Sequence, residues 1–236
     1  MLGAVRLYDN DSVIDKVVEQ LLLRCNKIII FLTGNCTADR IPKSKLIQVA
    51  KDKHKVVLNG QSLQRMVTFI KSEGLPDYLV YPDQDEILPV QWPSCIDFLE
   101  NSNKYFDVGF KYLTCWDSIS AVLPTKYSYP LDHHSKVAKK WQNGFAFLPS
   151  RGYCKPNTPK KTRHKSNMLI RHTALMTKEL RENFWNTKIR SWRNSDKPKW
   201  AKNGRLFCLG EAIKTNMPPK LLQFDERKQW QDYPTE

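Results

Sequence analysis

Three carboxylates stand together in Asp83-Gln84-Asp85-Glu86, directly after the apolar run Tyr78-Leu79-Val80-Tyr81. A run of that length and composition is predicted as a buried strand, so the acidic residues fall at its carboxyl end. Carboxylates this close repel one another, and a cation or a polar ligand among them relieves the repulsion. A solvated acidic turn closed by Pro82 and Pro89 accounts for the same spacing without a ligand.

The elements that must position this cluster can be read from hydrophobic periodicity. Val5–Tyr8 is a short strand, and Asp9-Asn10-Asp11-Ser12 supplies a turn and a cap for a helix through Val13, Val17, Val18 and Leu21 to Leu23. Lys27–Leu32 is an unbroken apolar run, the pattern of a strand buried on both faces of a mostly parallel sheet. Strand, helix, strand opens an α/β domain. A polar loop, Thr33 to Asp39, follows at the carboxyl end of the sheet, where such folds bind ligands. Ile41–Asp52 is predicted as a helix, Lys55–Leu58 as a strand and Gln61–Ser72 as a helix with Leu63, Met66, Val67 and Ile70 on its apolar face. Arg65 lies off that face.

Beyond the acidic cluster, Trp92–Asn101 is predicted as a helix. Tyr105–Cys115 is predicted as a half-buried antiparallel strand with Phe106, Val108, Phe110 and Tyr112 on one face, ending at Trp116-Asp117. Asp132–Lys136 is read as a surface loop, because adjacent histidines point apart on regular backbone. Phe145–Leu148 is a strand, Arg151–Lys165 a mobile basic loop without apolar period, and Asn167–His172 a strand leading to a helix through Leu180, Phe184 and Ile189. The tail interleaves Trp185, Trp192 and Trp200 with basic residues. Aromatics at that spacing serve a helical core, or a nucleic-acid surface that combines stacking with phosphate contacts.

The chain has 236 residues and a formal charge of +14, unevenly placed. Residues 1–135 hold 15 Lys/Arg and 16 Asp/Glu, and the remainder holds 23 and 8, so the excess lies wholly in the C-terminal part. Such asymmetry implies a polyanionic partner. No run of about eighteen apolar residues is present, and the first residues lack signal-peptide character, which points to a cytoplasmic protein without a membrane span. The six cysteines are scattered, without zinc-site spacing, and are expected to be reduced thiols.

Together with Gln64-Arg65 before it and Ile87-Leu88 after it, the acidic stretch resembles the Asp-x-Asp-Glu segment of family 2 glycosyltransferases. The resemblance implies a GT-A, Rossmann-like mixed sheet flanked by helices, with a basic helical C-terminal region. It covers roughly residues 3–190, with a nucleotide-sugar-binding part over 1–130 and an acceptor-binding basic part over 131–236 of the same domain. It implies that Asp85 is the ligand of a divalent metal, manganese or magnesium, bridging the donor's diphosphate, with Asp83 facing metal and ribose and Glu86 behind them. The loop containing Thr33 and Asp39 is similar to the family's base-binding Asp-x-Gly-Ser-Thr-Asp loop, although Thr33 stands where an Asp is usual and Asp39 is shifted by a residue. Arg65 matches the family's Gln-Arg and is expected near the donor's phosphates. His172, ending a strand before Thr173 and a helix, occupies the place of the histidine that completes the metal site. Asp117 falls where the acceptor's general base is expected, and a cap on the turn with Ser118 is the competing reading.

The function implied is transfer of a sugar from a nucleotide sugar, a UDP-sugar by resemblance, to an acceptor hydroxyl by a monomeric enzyme. The basic half, including Lys139, Lys140, Lys160, Lys161, Arg163 and Lys165, favours DNA carrying hydroxymethylated bases, as some bacteriophages modify. A flipped-out base would suit the aromatic-rich region. A bacterial surface glycan or lipid-linked acceptor is the alternative, with basic residues meeting anionic membrane. A non-catalytic nucleic-acid-binding protein would explain the charge and leave the acidic cluster without purpose.

Overall fold

Apolar runs separated by an amphipathic helix fold here as parallel strands with a right-sized crossover. In the computed structural model, β1 (Leu2–Leu7), α1 (Ile14–Leu22) and β2 (Lys27–Leu32) are followed by β3 (Ile47–Lys51), α2 (Asn59–Ser72), β4 (Tyr78–Val80), β5 (Glu86–Ile87) and α3 (Ser94–Glu100). Then come β6 (Asp107–Trp116), β7 (Ser118–Val122), β8 (His134–Lys139), β9 (Phe147–Ser150), β10 (Tyr153–Pro156), β11 (Arg163–His172), α4 (Lys178–Phe184) and β12 (Leu222–Gln223). The structure describes residues 1–8, 13–52, 59–74, 76–125, 134–139, 147–150, 153–156, 162–186, 210, 212–218, 220–229 and 232–233. The chain forms two compact units, Met1–Phe110 with His133–Ser166, and Lys111–Asp132 with Asn167–Glu236. The division falls within β6 and within β11, so the units interleave along the sequence.

In the first unit the strands lie in the order β6-β8-β4-β1-β2-β3. β1 pairs in parallel with both β2 and β4, and β2 pairs in parallel with β3. β8 runs antiparallel between β4 and β6, with Val137 opposite Val80 on one side and Val108 on the other. One face is covered by Met66, Val67 and Ile70 of α2, packed with Leu2, Ala4, Ile29, Phe31, Leu79, Tyr81 and Ala138. On α1, Ile14, Val17, Val18 and Leu21 are buried. A Cβ at Gly3 would come within 3.1 Å of both Cys25 Sγ and Leu21 Cδ1, so this glycine permits the close approach of α1 to β1. Cover on both faces explains why β2 is apolar at almost every position.

Several expectations change. Within Ile41–Asp52, predicted as a helix, Ile47–Lys51 is an edge strand beside β2, because Ile47 and Val49 alternate and the ladder with Ile28–Leu32 outweighs helical propensity. β6 is buried at every position but Lys111, where period two predicted half burial. The segment read as a surface loop at Asp132–Lys136 enters the central strand β8 from His134 onward. The predicted basic loop contains β10, paired with β9, and the first residues of β11. The predicted strand Lys55–Leu58 and the stretch 187–209 expected to be basic and helical lie outside the described residues.

In the second unit, β6 and β7 form an antiparallel pair that turns at Asp117, and β12 pairs with β7. Trp116, Leu123, Leu175, Phe184, Ala212 and Ile213 make one core cluster, and Leu113, Cys115, Val122, Leu169 and Tyr233 another. Thr177 caps α4 by accepting from Leu180 N. Cys25, Cys36, Cys95 and Cys115 are buried free thiols, as expected of reduced cysteines. Among the described residues no helix is long and apolar enough to cross a membrane.

Candidate active site

The acidic stretch leaves the sheet at the carboxyl end of β4, on the edge where β1 and β2 also end, since all three run parallel. Pro82 breaks the ladder and the chain turns at once. Asp83 N donates to Glu86 Oε2 at 2.8 Å, and Glu86 N donates to Asp83 O at 3.1 Å, so Glu86 closes its own turn. Gln84 is buried, and its Oε1 accepts Tyr8 N at 2.7 Å, pinning the turn to the end of β1.

Lys136 supplies the cation that the crowded carboxylates require. It comes from β8, the strand beside β4, and its Nζ lies 3.0 Å from Asp83 Oδ2 and 2.6 Å from Glu86 Oε2. The Lys136 and Glu86 side chains are 9% and 5% exposed, whereas Asp83 is 40% exposed. Burial pushes the Glu86 carboxyl up, and the charges of Asp83 and Asp85 push it further against the pull of Lys136. Asp83 goes the other way: burial opposes its charge, but Lys136 and then Arg6 hold it below the usual carboxylate range. Lys136 itself is raised, because Asp83 and Glu86 outweigh its desolvation. Asp85 is half-buried, and its charge is the largest influence raising the Tyr8 phenol well above its ordinary range. The Arg6 guanidinium lies 4.8 Å from the Tyr8 ring centroid.

Among the described residues no group of three or more His, Cys, Asp and Glu side chains is arranged to hold a metal ion. What the turn offers is Asp85 and the exposed side of Asp83. A hard divalent cation held by one or two carboxylates is completed by a substrate's phosphate oxygens, and the residues present fit an ion in that company. His172 belongs to the second unit, where its ring is 5.7 Å from that of Tyr112.

The remaining predicted residues are placed as follows. Thr33 is buried, and its backbone N and its Oγ1 both donate to Leu7 O, at 2.9 and 3.0 Å, which fastens β2 to β1. Asp39 is exposed in the following loop and accepts from Thr37 Oγ1 at 2.7 Å. Arg65 pairs with Asp52, whose side chain is 1% exposed, through Nε at 2.8 Å and Nη2 at 2.7 Å, and so ties α2 to the end of β3. Asp117 pairs with Arg181 within the second unit. Of the basic residues, Lys139 Nζ donates to Leu99 O and Ser102 O at the end of α3, a cationic C-cap. Arg163 forms a two-pronged pair with fully buried Asp107, at 3.0 and 3.4 Å. Lys165 is exposed on β11, while Lys140, Lys160 and Lys161 lie outside the described residues. Sequence reasoning counted Lys136 among surface charges. Its signal was the alternation with Ala138, which only the strand pairing makes visible.

No family model and no curated protein matches the sequence. Solved structures of similar shape include glucosyl-3-phosphoglycerate synthase from Mycobacterium tuberculosis in complex with Mn2+, UDP and phosphoglyceric acid, at TM-score 0.36 and 16% identity over 47% of this chain and 42% of that one. Another is S. aureus TarS 1–349, at TM-score 0.47 and 11% identity over 92% and 69%. A third is 4-diphosphocytidyl-2C-methyl-D-erythritol synthase, at 0.37 and 11% over 58% and 73%. The chain therefore spans less than half of the first structure and about two thirds of the second. Likeness at this level leaves function to the chain's own residues.

Proposed function

We propose that this protein is a glycosyltransferase that takes a nucleotide sugar together with a divalent metal ion and passes the sugar to an acceptor hydroxyl. The observation that carries the reading is the turn Asp83–Glu86: carboxylates gathered at the carboxyl edge of parallel strands, with Lys136 buried against Asp83 and Glu86 and Asp85 half-buried beside them. Asp85 would hold the ion with Asp83 beside it, and the ion, when bound, would neutralise charge developing on the departing diphosphate. Asp117 is the base for the acceptor hydroxyl. A UDP-sugar donor and manganese or magnesium follow from the resemblance of Asp83–Leu88 to family 2 glycosyltransferases.

The acceptor in this reading is DNA bearing hydroxymethylated bases, supported by the charge excess beyond residue 135. The test is to incubate the protein with manganese, a panel of nucleotide sugars and either hydroxymethylated or plain DNA, then weigh the digested nucleosides. A mass gain of one sugar on the hydroxymethylated nucleoside alone is expected. Transfer only to a lipid-linked or polysaccharide acceptor would remove DNA and keep the transferase. Failure to bind or turn over any nucleotide sugar would remove both.

A further inference from the structure

The second unit holds a buried cation whose surroundings are unlike those of an ordinary surface pair. Arg181, on α4, is 4% exposed. Its Nε donates to Asn216 Oδ1 at 2.9 Å, and its Nη1 donates to Leu175 O at 3.0 Å and Met176 O at 3.2 Å. Its guanidinium lies 4.3 Å from the ring of fully buried Trp116. The remaining contact is Nη1 to Asp117 Oδ1 at 2.9 Å, and here the two partners differ sharply: the arginine side chain is 5% exposed and the aspartate 61%.

Asp117 is also one of two non-glycine residues with positive φ among the described residues, at 61°. Its backbone N donates to Met176 O at 3.0 Å, a carbonyl that Arg181 also contacts. Aspartate is among the few non-glycine residues that enter this region readily, so the turn carries it without special cost. What is particular here is that the carboxylate is presented to solvent while a buried cation, itself fixed on several sides, stands behind it. Trp116 and Tyr112 stand four residues apart on β6, so the strand that carries Arg181's stacking partner also carries the ring beside His172.

We infer that Arg181 is a positioning residue that holds the Asp117 carboxylate in place to receive the acceptor's proton. This rests on the proposed transferase activity. In that step the acceptor oxygen bonds to the anomeric carbon, the bond to the diphosphate breaks with its electron pair, and the proton passes to Asp117. A guanidinium pinned by several acceptors and by the Trp116 ring fixes where its charge stands beside Asp117, which the single ammonium of a lysine cannot reproduce. Small misplacements of a reacting group cost up to about 100-fold in rate.

The experiment measures sugar transfer, donor KM and thermal midpoint for the full chain and four variants. Asp117→Gly relieves the positive φ but leaves buried Arg181 without its carboxylate, so a lower midpoint with the fold kept is expected, together with a loss of transfer of about 100-fold or more. Arg181→Lys should lower kcat about 10-fold with donor KM unchanged, and Arg181→Met should lower it further. Asn216, itself at φ 51°, is replaced by glycine to remove one anchor of the guanidinium without backbone strain. Asn216→Gly should lower kcat severalfold with the melting point kept, and it decides the matter if Arg181→Met does not fold. A parent protein that transfers no sugar overturns the transferase and this inference together. An active Asp117→Gly overturns Asp117 as the base. An inactive Asp117→Gly beside Arg181→Lys and Asn216→Gly variants of parental kcat overturns the positioning role alone.

Discussion

Replacing Lys136 with methionine removes the ammonium from between Asp83 and Glu86 and keeps most of the side-chain volume. The loss is asymmetric, because Glu86 is 5% exposed and cannot turn to water, whereas Asp83 at 40% exposed can. Breaking a buried pair by deleting one partner typically costs about 3–5 kcal/mol, nearly all of it assignable here to Glu86, with little from the better-solvated Asp83. The cost depends on pH. Glu86 has a folded pKa above its unfolded value of ~4.3, so ionising it consumes folding free energy as pH rises through that window, and Lys136 limits the loss. Without the ammonium the folded value climbs further and the deficit grows with pH. Asp83, held low by Lys136, contributes stability above its unfolded ~3.9 and loses part of it in the variant, in the same direction. At pH 5 the variant's Glu86 is protonated and most of the penalty is gone, leaving about 1–2 kcal/mol. At about 2–4 °C per kcal/mol for a chain of this size, the melting point should fall roughly 6–20 °C at pH 8 and only a few degrees at pH 5. Melting curves by circular dichroism at both pH values measure this. Equal deficits at pH 5 and pH 8, or none at pH 8, would refute the buried-pair argument.

Asp85→Asn should weaken nucleotide binding in manganese by about 100-fold in a chain that still folds, and calorimetric titration with UDP beside a melting curve checks it. Lys160, Lys161 and Lys165 changed together to Ser should flatten the log-log salt dependence of DNA binding by about one to three units. Arg163 is left out of that set because its pair with buried Asp107 makes its removal a stability experiment. Burial pushes the thiols of Cys25, Cys95 and Cys115 up to about 12, so a disulfide reagent at pH 8 should modify them only after urea is added. Rapid labelling in the native protein would contradict their placement in the core.

What the sequence shows plainly is whatever local pattern controls. The buried run Lys27–Leu32, the helix face of Met66, Val67 and Ile70, and the acidic turn after Tyr81 all stand where periodicity puts them. The misses share a physical origin in pairing between residues far apart in the chain. Ile47–Lys51 sits in a stretch opened by Pro42 that reads as a helix, and its Ile47–Val49 alternation is decided as strand by the ladder with β2. Lys136 and Arg163 look like members of a basic surface, and each becomes interior when a distant strand brings it an aspartate, Asp83 in one case and Asp107 in the other. Nothing local in the sequence singles out Arg181, since Trp116 and Asp117 reach it only through the fold of the second unit.

The place of β8 in the sheet has a consequence during synthesis. It lies between β4 and β6, yet it leaves the ribosome after both. Until Val137 and Ala138 emerge, the facing edges at Tyr78–Val80 and Asp107–Phe110 have open backbone groups and apolar side chains, the pattern that attracts foreign strands. At about 5–20 residues per second this exposure lasts on the order of seconds. The same strand brings Lys136, so the nascent chain carries the acidic turn without its lysine for that interval. Closing the sheet and neutralising the turn are therefore one event, and a newly made chain gains its interior and its charge balance together.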